Sequence, residues 1–254
     1  MLANYFLITS SCLLDENGYP RKKAIDTIHE LNKYHIPFCI LSDNSKLSLN
    51  DLTSHYQTLG IYDIQPNNFY TSSMAAVDYL VSSSNLRYEV HLGGAGLEEA
   101  LRAGNFITSY EKCNYVFIGS DHHATFDDYS ELLNCILNGA QLICLDHTLY
   151  EKGVNKYILG PGSITLMLEA ATKKKAMHFS LPSRIIVDRA MKYLGATIED
   201  TLVIGTDIDN ELLSSIKLEL NTALITYNQD KYDDIMTLSD KPMYFLSDLS
   251  SILD

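Results

Sequence analysis

Short apolar runs alternate with amphipathic segments from one end of the chain to the other. Continuous apolar runs are typical of strands buried on both faces of a parallel sheet. They predict strands over residues 5–8, 37–41, 88–92, 115–118, 141–145, 201–204 and 222–226. A helix predicted over 23–34 has apolar residues at helical spacing, namely Ala24, Ile25, Ile28 and Leu31, and a second, over 49–59, ends at Gly60. This alternation predicts an α/β fold with a parallel sheet and right-handed crossovers.

Composition allows a substantial hydrophobic core. Of the 254 residues, 46% are hydrophobic and only 20% are charged, which excludes global disorder. The length fits one large domain or two modest ones. No repeat, low-complexity tract or Pro-rich linker marks a boundary, so composition alone does not divide the chain.

The charge balance argues against nucleic-acid and membrane partners. The formal net charge is −13, whereas binding to phosphate backbones or anionic lipids depends on clustered Lys and Arg. The only basic runs are residues 21–23 and 173–175. Both are short and lie where a helix is predicted to begin or end, so we expect them to form solvated surface.

Cysteine usage and hydropathy favour a cytoplasmic protein. The five cysteines are far apart and form no CxxC pair, which is typical of buried thiols in a reducing compartment. The N-terminus lacks the pattern of a signal peptide, and no apolar run approaches the ~20 residues that span a bilayer.

Ligands of parallel α/β sheets bind beyond the carboxyl ends of the strands. The segments that follow the predicted strands are therefore the candidate sites: residues 9–13, 42–45, 93–96, 120–123, 146–148 and 205–211.

Motifs in these segments resemble the class IIA, NagD-like branch of the haloacid dehalogenase superfamily. They are Ile-Leu-Ser-Asp-Asn-Ser over 40–45, Leu-Gly-Gly-Ala-Gly-Leu over 92–97, Phe-Ile-Gly-Ser-Asp over 117–121, Gly-Pro-Gly-Ser over 160–163 and Val-Ile-Gly over 203–205. Each motif is short, but together, in this order and spacing, they cover nearly the whole chain.

The resemblance implies a Rossmann-like core over residues 1–79 and 178–254, with an inserted α/β cap domain over 80–177. Active members hydrolyse phosphate esters, often of sugars or nucleotides. In them an aspartate at the end of the first strand attacks phosphorus, and an aspartate two residues later acts as general acid and base. A lysine before a proline holds the phosphoryl oxygens, and further carboxylates bind Mg²⁺ through hard oxygen ligands.

This chain departs from the family pattern at most of those positions. The nucleophile position falls on Ile8 and the acid–base position on Ser10, while Leu181 replaces the lysine and Thr206 the first metal-binding aspartate. An isoleucine has no lone pair to attack phosphorus, and a serine hydroxyl has no pKa suited to proton transfer at neutral pH. The resemblance therefore predicts a site that has lost its catalytic residues.

Some polar residues of the family site are retained. The phosphate-binding hydroxyl corresponds to Ser42, which is followed by Asp43 and Asn44. With Asp121 and Asp146, at the ends of predicted cap strands, they form the predicted ligand-binding set.

Asp207 and Glu211 leave a metal site open as an alternative, since their spacing resembles a variant of the family's metal motif. Carboxylates are also favoured at a helix N-terminus without any metal, and we prefer that explanation.

We interpret the chain as a catalytically inactive NagD-like protein that binds a phosphorylated metabolite, in a binding or regulatory role, and needs no cofactor. Two alternatives stay open. One is a divergent Mg²⁺-dependent phosphatase acting on sugar or nucleotide phosphates. The other is a structural protein whose cap forms a homo-oligomer.

Overall fold

The computed structural model describes residues 2–121, 123–153, 155–226 and 240–253. It divides into two compact units, which we call the core unit (Met1–Ser42, Leu49–Tyr70, Leu181–Asp254) and the inserted unit (Asp43–Ser48, Thr71–Ser180). The predicted domain boundaries, after residue 79 and before residue 178, stay a prediction. The two units change over at 70–71 and 180–181, and the turn 43–48 belongs to the inserted unit.

Strands and helices alternate as the hydrophobic pattern predicts. The strands are β1 (Tyr5–Thr9), β2 (Phe38–Ser42), β3 (Phe69–Thr71), β4 (Tyr88–Leu92), β5 (Ile107–Thr108), β6 (Tyr115–Ile118), β7 (Gln141–Cys144), β8 (Tyr150–Gly153), β9 (Lys156–Leu159), β10 (Met177–His178), β11 (Thr201–Gly205), β12 (Asn221–Ile225) and β13 (Tyr244–Leu246). The α-helices are α1 (Ala24–Lys33), α2 (Leu49–Thr58), α3 (Ser72–Ser83), α4 (Ala95–Ala103), α5 (Phe126–Leu137), α6 (Pro161–Thr172), α7 (Arg184–Leu194) and α8 (Leu213–Lys217).

A six-stranded sheet in the order β13-β12-β11-β1-β2-β3 forms the centre of the core unit. β1 pairs in parallel with β11 on one side and with β2 on the other. All five residues of β2 and of β11 are buried, as expected for strands covered on both faces. The predicted α/β fold with a parallel sheet is confirmed.

The inserted unit has its own sheet of five strands, in the order β10-β7-β6-β4-β5, and an antiparallel pair, β8 and β9. Buried side chains of β4, β6, β7, α5 and α6 form one apolar cluster. Helix α5 begins at a capping box, in which Thr125 and Asp128 each accept a hydrogen bond from the other's backbone N–H.

Helix α1 differs from the prediction in one residue. Ala24, Ile28 and Leu31 are fully buried, but Ile25 is 42% exposed. Ile25 follows Ala24 directly and is therefore turned about 100° away around the helix axis. None of the described helices is long and apolar enough to cross a membrane.

Candidate functional site

Three strand ends of the core sheet lie side by side. Thr9 at the end of β1 is in register with Leu41 of β2, and Ile8 is in register with Ile204 of β11. The polar residues that follow, including Ser42 and Thr206, therefore gather at one edge of the sheet. This is the edge where the ligands of parallel α/β sheets bind.

The strand-end hydroxyls belong to Thr9 and Ser11. Ile8 is fully buried in the apolar layer of the sheet, whereas Thr9 Oγ1 lies 2.8 Å from Ser11 Oγ and donates to Glu211 Oε2 at 3.1 Å. Side chains alternate between the faces of a strand. This geometry therefore favours Thr9 for the nucleophile position and Ser11 for the acid–base position, each one residue beyond the predicted Ile8 and Ser10. Neither carries a carboxylate, and the catalytic roles assigned to these positions stay a prediction.

The Glu211 carboxylate accepts several hydrogen bonds at this edge of the sheet. Its Oε2 accepts from the N–H of Thr206 at 2.7 Å and from the N–H of Asp207 at 3.3 Å, in addition to the Thr9 hydroxyl. A Cβ on Gly205 would lie only 2.8 Å from the same oxygen, so the glycine leaves room for the carboxylate. Glu211 thus links the end of β11 to the end of β1.

The three hydroxyls form a chain that ends on the Glu211 carboxylate. Thr206 Oγ1 donates to Ser11 Oγ at 3.0 Å, and Ser11 lies beside Thr9, which donates to Glu211. An ionised carboxylate only accepts hydrogen bonds. The proton order therefore runs from Thr206 through Ser11 and Thr9 to Glu211.

The Asp207 carboxylate stabilises the helical turn that follows it. Its carboxylate Oδ1 accepts from the Asn210 N–H at 2.8 Å and caps the helical turn Ile208–Leu212. This is the role expected of a carboxylate at the start of a helical turn. Asp207 is exposed, and its side chain is directed to that cap.

The donor set around Glu211 does not fit a divalent cation of the kind the fold family implies. Mg²⁺ requires several oxygen ligands in near-octahedral geometry. Here the N–H and O–H groups of Thr206, Asp207 and Thr9 already point at Oε2, which leaves Oε1 as the only oxygen of Glu211 open to a cation, fewer ligands than such an ion needs. Within the described part of the chain, no group of three or more His, Cys, Asp or Glu is arranged to hold a metal ion.

Arg21 lies beside the strand-end turn, contrary to the prediction of a solvated basic run. Lys22 and Lys23 are exposed, but the Arg21 side chain is only 19% exposed. Its Nε donates to the carbonyl oxygen of Ser11 at 2.6 Å and to that of Leu14 at 3.2 Å. The Arg21 guanidinium is partly buried because it donates to these two carbonyl oxygens of a tight turn. The sequence pattern does not reveal this burial.

A pocket of about 290 Å³ opens at this turn. Its lining combines hydroxyls, one guanidinium, two carboxylates and an aromatic ring, from Ser10, Ser11, Leu14, Asp15, Glu16, Arg21 and Tyr56. Asp15 Oδ1 accepts from the N–H groups of Asn17 and Tyr19, both at 2.9 Å, so this carboxylate stabilises the adjacent turn.

Two further predicted positions of the core unit are buried. Leu181, which the sequence motifs assign to the family lysine position, is 5% exposed and offers only an apolar side chain; that assignment stays a prediction. Ser42 is also 5% exposed at the end of β2. Ser42 as a phosphate ligand stays a prediction.

In the inserted unit, the predicted ligand residues accept hydrogen bonds from the backbone of the turns in which they lie. Asn44 Oδ1 accepts from the N–H groups of Lys46 at 3.0 Å and Leu47 at 2.9 Å. In the same way, Asp121 accepts from the N–H of His123 and Asp146 from the N–H of Thr148, both at 2.8 Å. Such Asx turns rigidify a loop. Contact of Asn44, Asp121 and Asp146 with a ligand stays a prediction.

The charges of Asp43 and Asp146 both act on the Cys144 thiol, whose Sγ donates to the Asp146 carbonyl oxygen at 3.2 Å. Burial raises the pKa of the Cys144 thiol to about 11, and the charges of Asp146 and Asp43 raise it further against hydrogen bonds that lower it.

Glycines of the inserted unit allow the turn 43–48 to pack closely. A Cβ on Gly94 would lie 2.5 Å from the Lys46 carbonyl oxygen, and one on Gly96 would lie 2.3 Å from that of Leu47. Ser45, in the same turn, is fully buried and its Oγ accepts from the Ser120 N–H at 2.9 Å. The glycine cluster therefore serves packing.

A parallel core sheet with an inserted α/β unit is the architecture that the resemblance to haloacid dehalogenase-like proteins implies. Residues 12–107 match the sequence model of the haloacid dehalogenase-like hydrolase family. The chain is 24% identical over 227 residues to a dihydroxyacetone phosphatase of Corynebacterium glutamicum, covering 89% of this chain and 82% of that protein. It is 26% identical to an acid sugar phosphatase of Staphylococcus saprophyticus, covering 94% of each.

Two solved structures have the same fold as this chain. A point mutant of the thermostable p-nitrophenylphosphatase from Bacillus stearothermophilus superposes with a TM-score of 0.87 at 25% identity, covering 98% of this chain and 97% of that one. NagD from Escherichia coli K-12 has the same fold, with a TM-score of 0.86 at 21% identity and 96% coverage of both chains. The predicted resemblance to the haloacid dehalogenase-like superfamily is confirmed by the sequence match over residues 12–107, and the fold is shared with NagD.

Proposed function

We propose that this chain binds a small phosphorylated metabolite, of the triose-phosphate or sugar-phosphate class, at the carboxyl edge of its core sheet. The observation that carries the proposal is the pocket in which the Arg21 guanidinium lies beside Ser10 and Ser11. The names of the relatives, a dihydroxyacetone phosphatase and acid sugar phosphatases, support the ligand class.

Arg21 supplies the kind of positive charge that the Leu181 position lacks. A planar guanidinium matches phosphate oxygens in geometry and stays charged at every physiological pH. Its partial burial strengthens its interaction with an anion relative to a fully solvated side chain. Glu16 lies 3.8 Å from an Arg21 nitrogen and is 80% exposed, so it offsets this positive charge only in part.

The strand end supports binding better than covalent catalysis. Thr9 and Ser11 are hydroxyls in a chain directed at Glu211, so their oxygens have no carboxylate charge with which to attack phosphorus. In one well-studied protease, loss of the nucleophile alone lowers the rate on the order of 10⁶-fold. Neutral hydroxyls also repel a phosphate dianion less than carboxylates do. We therefore propose retention of the phosphate ester with little or no hydrolysis.

Phosphatase activity is the second candidate, and the comparisons favour it, because the curated relatives and the thermostable structural neighbour named above are phosphatases. Such an enzyme would use Asp207 and Glu211 with Mg²⁺ and a water nucleophile. It would have to release Glu211 from its hydrogen bonds to Thr206 and Thr9 before the carboxylate bound a cation.

Phosphate release decides between the two candidates. The substrates are dihydroxyacetone phosphate, several sugar and nucleotide phosphates, and p-nitrophenyl phosphate, each tested with Mg²⁺ and with a chelator. The binding proposal predicts no release above that of heat-denatured protein. Mg²⁺-dependent turnover that is lost in Glu211→Gln would establish the phosphatase and overturn the inactive-site interpretation.

Calorimetric titration with the same esters tests binding directly. Arg21→Gln is expected to weaken binding at least tenfold, since it removes one charge-assisted contact worth about 1.5–3 kcal/mol. Lys22→Gln, which removes the same charge from an exposed neighbour, is the matched control and is expected to bind like the unaltered protein. Indifference of the unaltered protein to every ester would instead favour the structural, homo-oligomeric role.

A further inference from the structure

A separate pocket, with a volume of about 310 Å³, lies in the inserted unit between strand β4 and helix α4. Glu89 and His91 of β4 contribute to its lining; they are two residues apart and therefore lie on the same face of the strand. Glu98, Leu101 and Arg102 contribute from α4, at a spacing that places them on one face of the helix. We call this the β4–α4 pocket. It shares no lining residue with the pocket at the strand-end turn of the core unit.

A buried carboxylate fixes the orientation of His91. Glu89 is 2% exposed, its Oε2 lies 2.8 Å from His91 Nδ1, and its Oε1 accepts from the Thr108 hydroxyl at 2.8 Å. An ionised carboxylate only accepts hydrogen bonds, so Nδ1 carries a hydrogen and Nε2 remains for another partner. Nε2 has no hydrogen-bond partner in the part of the chain that the structure describes, and His91 lines the pocket. Holding one ring nitrogen with a carboxylate is a way in which proteins direct the other nitrogen to a ligand.

The helix side of the pocket supplies one charge of each sign. Glu98 and Arg102 are exposed, and in the described ranges of the chain neither lies within ion-pair distance of an opposite charge. Leu101 is buried and Phe106, which also lines the pocket, is half-buried, so both provide apolar surface beside these charges. Since the buried carboxylate balances the protonated imidazole, the pocket offers one guanidinium, one carboxylate and one ring N–H to a ligand.

We propose that the β4–α4 pocket binds a free amino acid with an apolar side chain. The α-carboxylate of such a ligand would accept hydrogen bonds from the Arg102 guanidinium and from His91 Nε2, and its ammonium group would donate to Glu98. Its side chain would pack against Leu101 and Phe106. Glu98 would repel a phosphate dianion, and Arg102 would repel a simple amine, so charges of both signs favour a zwitterion. This inference does not depend on the ligand proposed for the strand edge of the core unit.

The charge of His91 makes this binding dependent on pH. Burial alone lowers the pKa of His91, but the hydrogen bond and charge of Glu89, with the charges of Glu98 and Asp121, outweigh it and raise the pKa above 6.5. Arg102 is the positively charged side chain in the same lining. While Nδ1 donates to Glu89, only the protonated ring has a hydrogen on Nε2. The affinity is therefore expected to be highest below this pKa and to fall as the pH rises through it.

The test is calorimetric titration of the folded, full-length protein with L-leucine at pH 6.0 and pH 8.5. Isocaproate, which lacks the ammonium group of leucine, and isoamylamine, which lacks its carboxylate, are the matched ligands, and inorganic phosphate is the competitor. We expect L-leucine to bind at least tenfold more tightly than either fragment, and more tightly at pH 6.0 than at pH 8.5. Absence of L-leucine binding at millimolar concentration would overturn the proposal. So would isocaproate that binds as tightly as L-leucine, or displacement of L-leucine by phosphate at equal concentration.

Variants identify the site of binding. Arg102→Gln and Glu98→Gln change exposed side chains, and each should weaken L-leucine binding at least tenfold because it removes one charge-assisted contact. Lys112→Gln and Glu111→Gln remove the same charges from exposed positions of the inserted unit and should bind like the unaltered protein. His91→Gln should weaken binding at pH 6.0 and remove its dependence on pH. Unchanged affinity in both Arg102→Gln and Glu98→Gln would overturn the proposal even if L-leucine bound, since the ligand would then lie elsewhere.

Discussion

Replacing Glu211 with glutamine should measure how much its hydrogen bonds stabilise the core unit. The substitution keeps the shape of the side chain and one oxygen acceptor but removes the charge. Two short bonds, from the Thr206 N–H at 2.7 Å and the Thr9 hydroxyl at 3.1 Å, dominate the contacts of Oε2. The Asp207 N–H at 3.3 Å is longer and contributes less, and the Thr206 hydroxyl, 3.5 Å from Oε2, donates to the nearer Ser11 Oγ instead.

The expected loss follows from these two bonds. A hydrogen bond to a charged group contributes about 1.5–3 kcal/mol, and a neutral acceptor roughly halves it. Two bonds halved correspond to a loss of about 1.5–3 kcal/mol, toward the lower end because Glu211 is partly exposed to water. For a chain of this size, that loss lowers the Tm by about 3–12 °C.

Urea unfolding, followed by circular dichroism with and without Mg²⁺, provides the assay. Asp209→Asn removes an exposed carboxylate two residues away and should change the free energy of unfolding by less than about 0.5 kcal/mol. A Glu211→Gln variant as stable as the unaltered protein would refute the structural role of Glu211. The same holds if Mg²⁺ stabilised the unaltered protein strongly and Glu211→Gln abolished that effect, since Glu211 would then be a metal ligand.

Three more substitutions probe neighbouring contacts. Gly205→Ala places a Cβ 2.8 Å from Glu211 Oε2, so the carboxylate must move; we expect a loss of about 1–3 kcal/mol in urea unfolding, and no loss would contradict the close approach. Thr9→Asp puts a second carboxylate beside Glu211, so the Tm of this variant should fall at pH 7 and rise again when Mg²⁺ is added. A Tm that does not change with Mg²⁺ would count against this geometry. In the inserted unit, His91 Nδ1 lies 2.8 Å from a carboxylate oxygen of Glu89, which is 2% exposed. Burial alone lowers the pKa of His91, but the hydrogen bond and charge of Glu89, with the charges of Glu98 and Asp121, outweigh it and raise the pKa above 6.5. This stabilisation is complete below pH 6.5 and is lost as the pH rises through the higher folded value. The Tm advantage over His91→Gln should therefore be larger at pH 5.5 than at pH 8.5, and an advantage that does not change with pH would argue against the pair.

The hydrophobic pattern was sufficient to predict the main strands of both sheets, because parallel strands buried on both faces are uninterrupted apolar runs. It did not reveal the three-residue edge strands β3 and β13 of the core sheet. It also missed β5 and β10, which have only two residues each, and the pair β8–β9, in which exposed and half-buried residues mix. Such strands depend on their neighbours for pairing. Their own sequences contain too few positions to show a period.

The position of the candidate site was predictable, but not the residues that form it. The apolar run of β1 ends at Ile8, yet the strand continues through Thr9, whose β-branched side chain suits a strand. The strand geometry therefore favours Thr9 and Ser11 over Ile8 and Ser10 for these two positions, and the catalytic assignment stays a prediction. The burial of Arg21 was also unpredictable, since it depends on carbonyl oxygens of Ser11 and Leu14 that converge only once the turn has folded.

The substitutions at the strand edge are physically coupled. Carboxylates at Thr9 and Ser11 would stand beside Glu211 as three like charges within a few ångströms, an arrangement that is stable only with a cation between them. Once hydroxyls replace two of them, the same three positions become donors and acceptors in one chain that ends on the remaining carboxylate. With hydroxyls at both positions this repulsion does not arise, whereas restoring one carboxylate alone creates it. From this coupling we infer that Thr9→Asp with Ser11→Asp should regain Mg²⁺ binding before it regains hydrolysis, because Leu181 still provides no charge for the phosphoryl group.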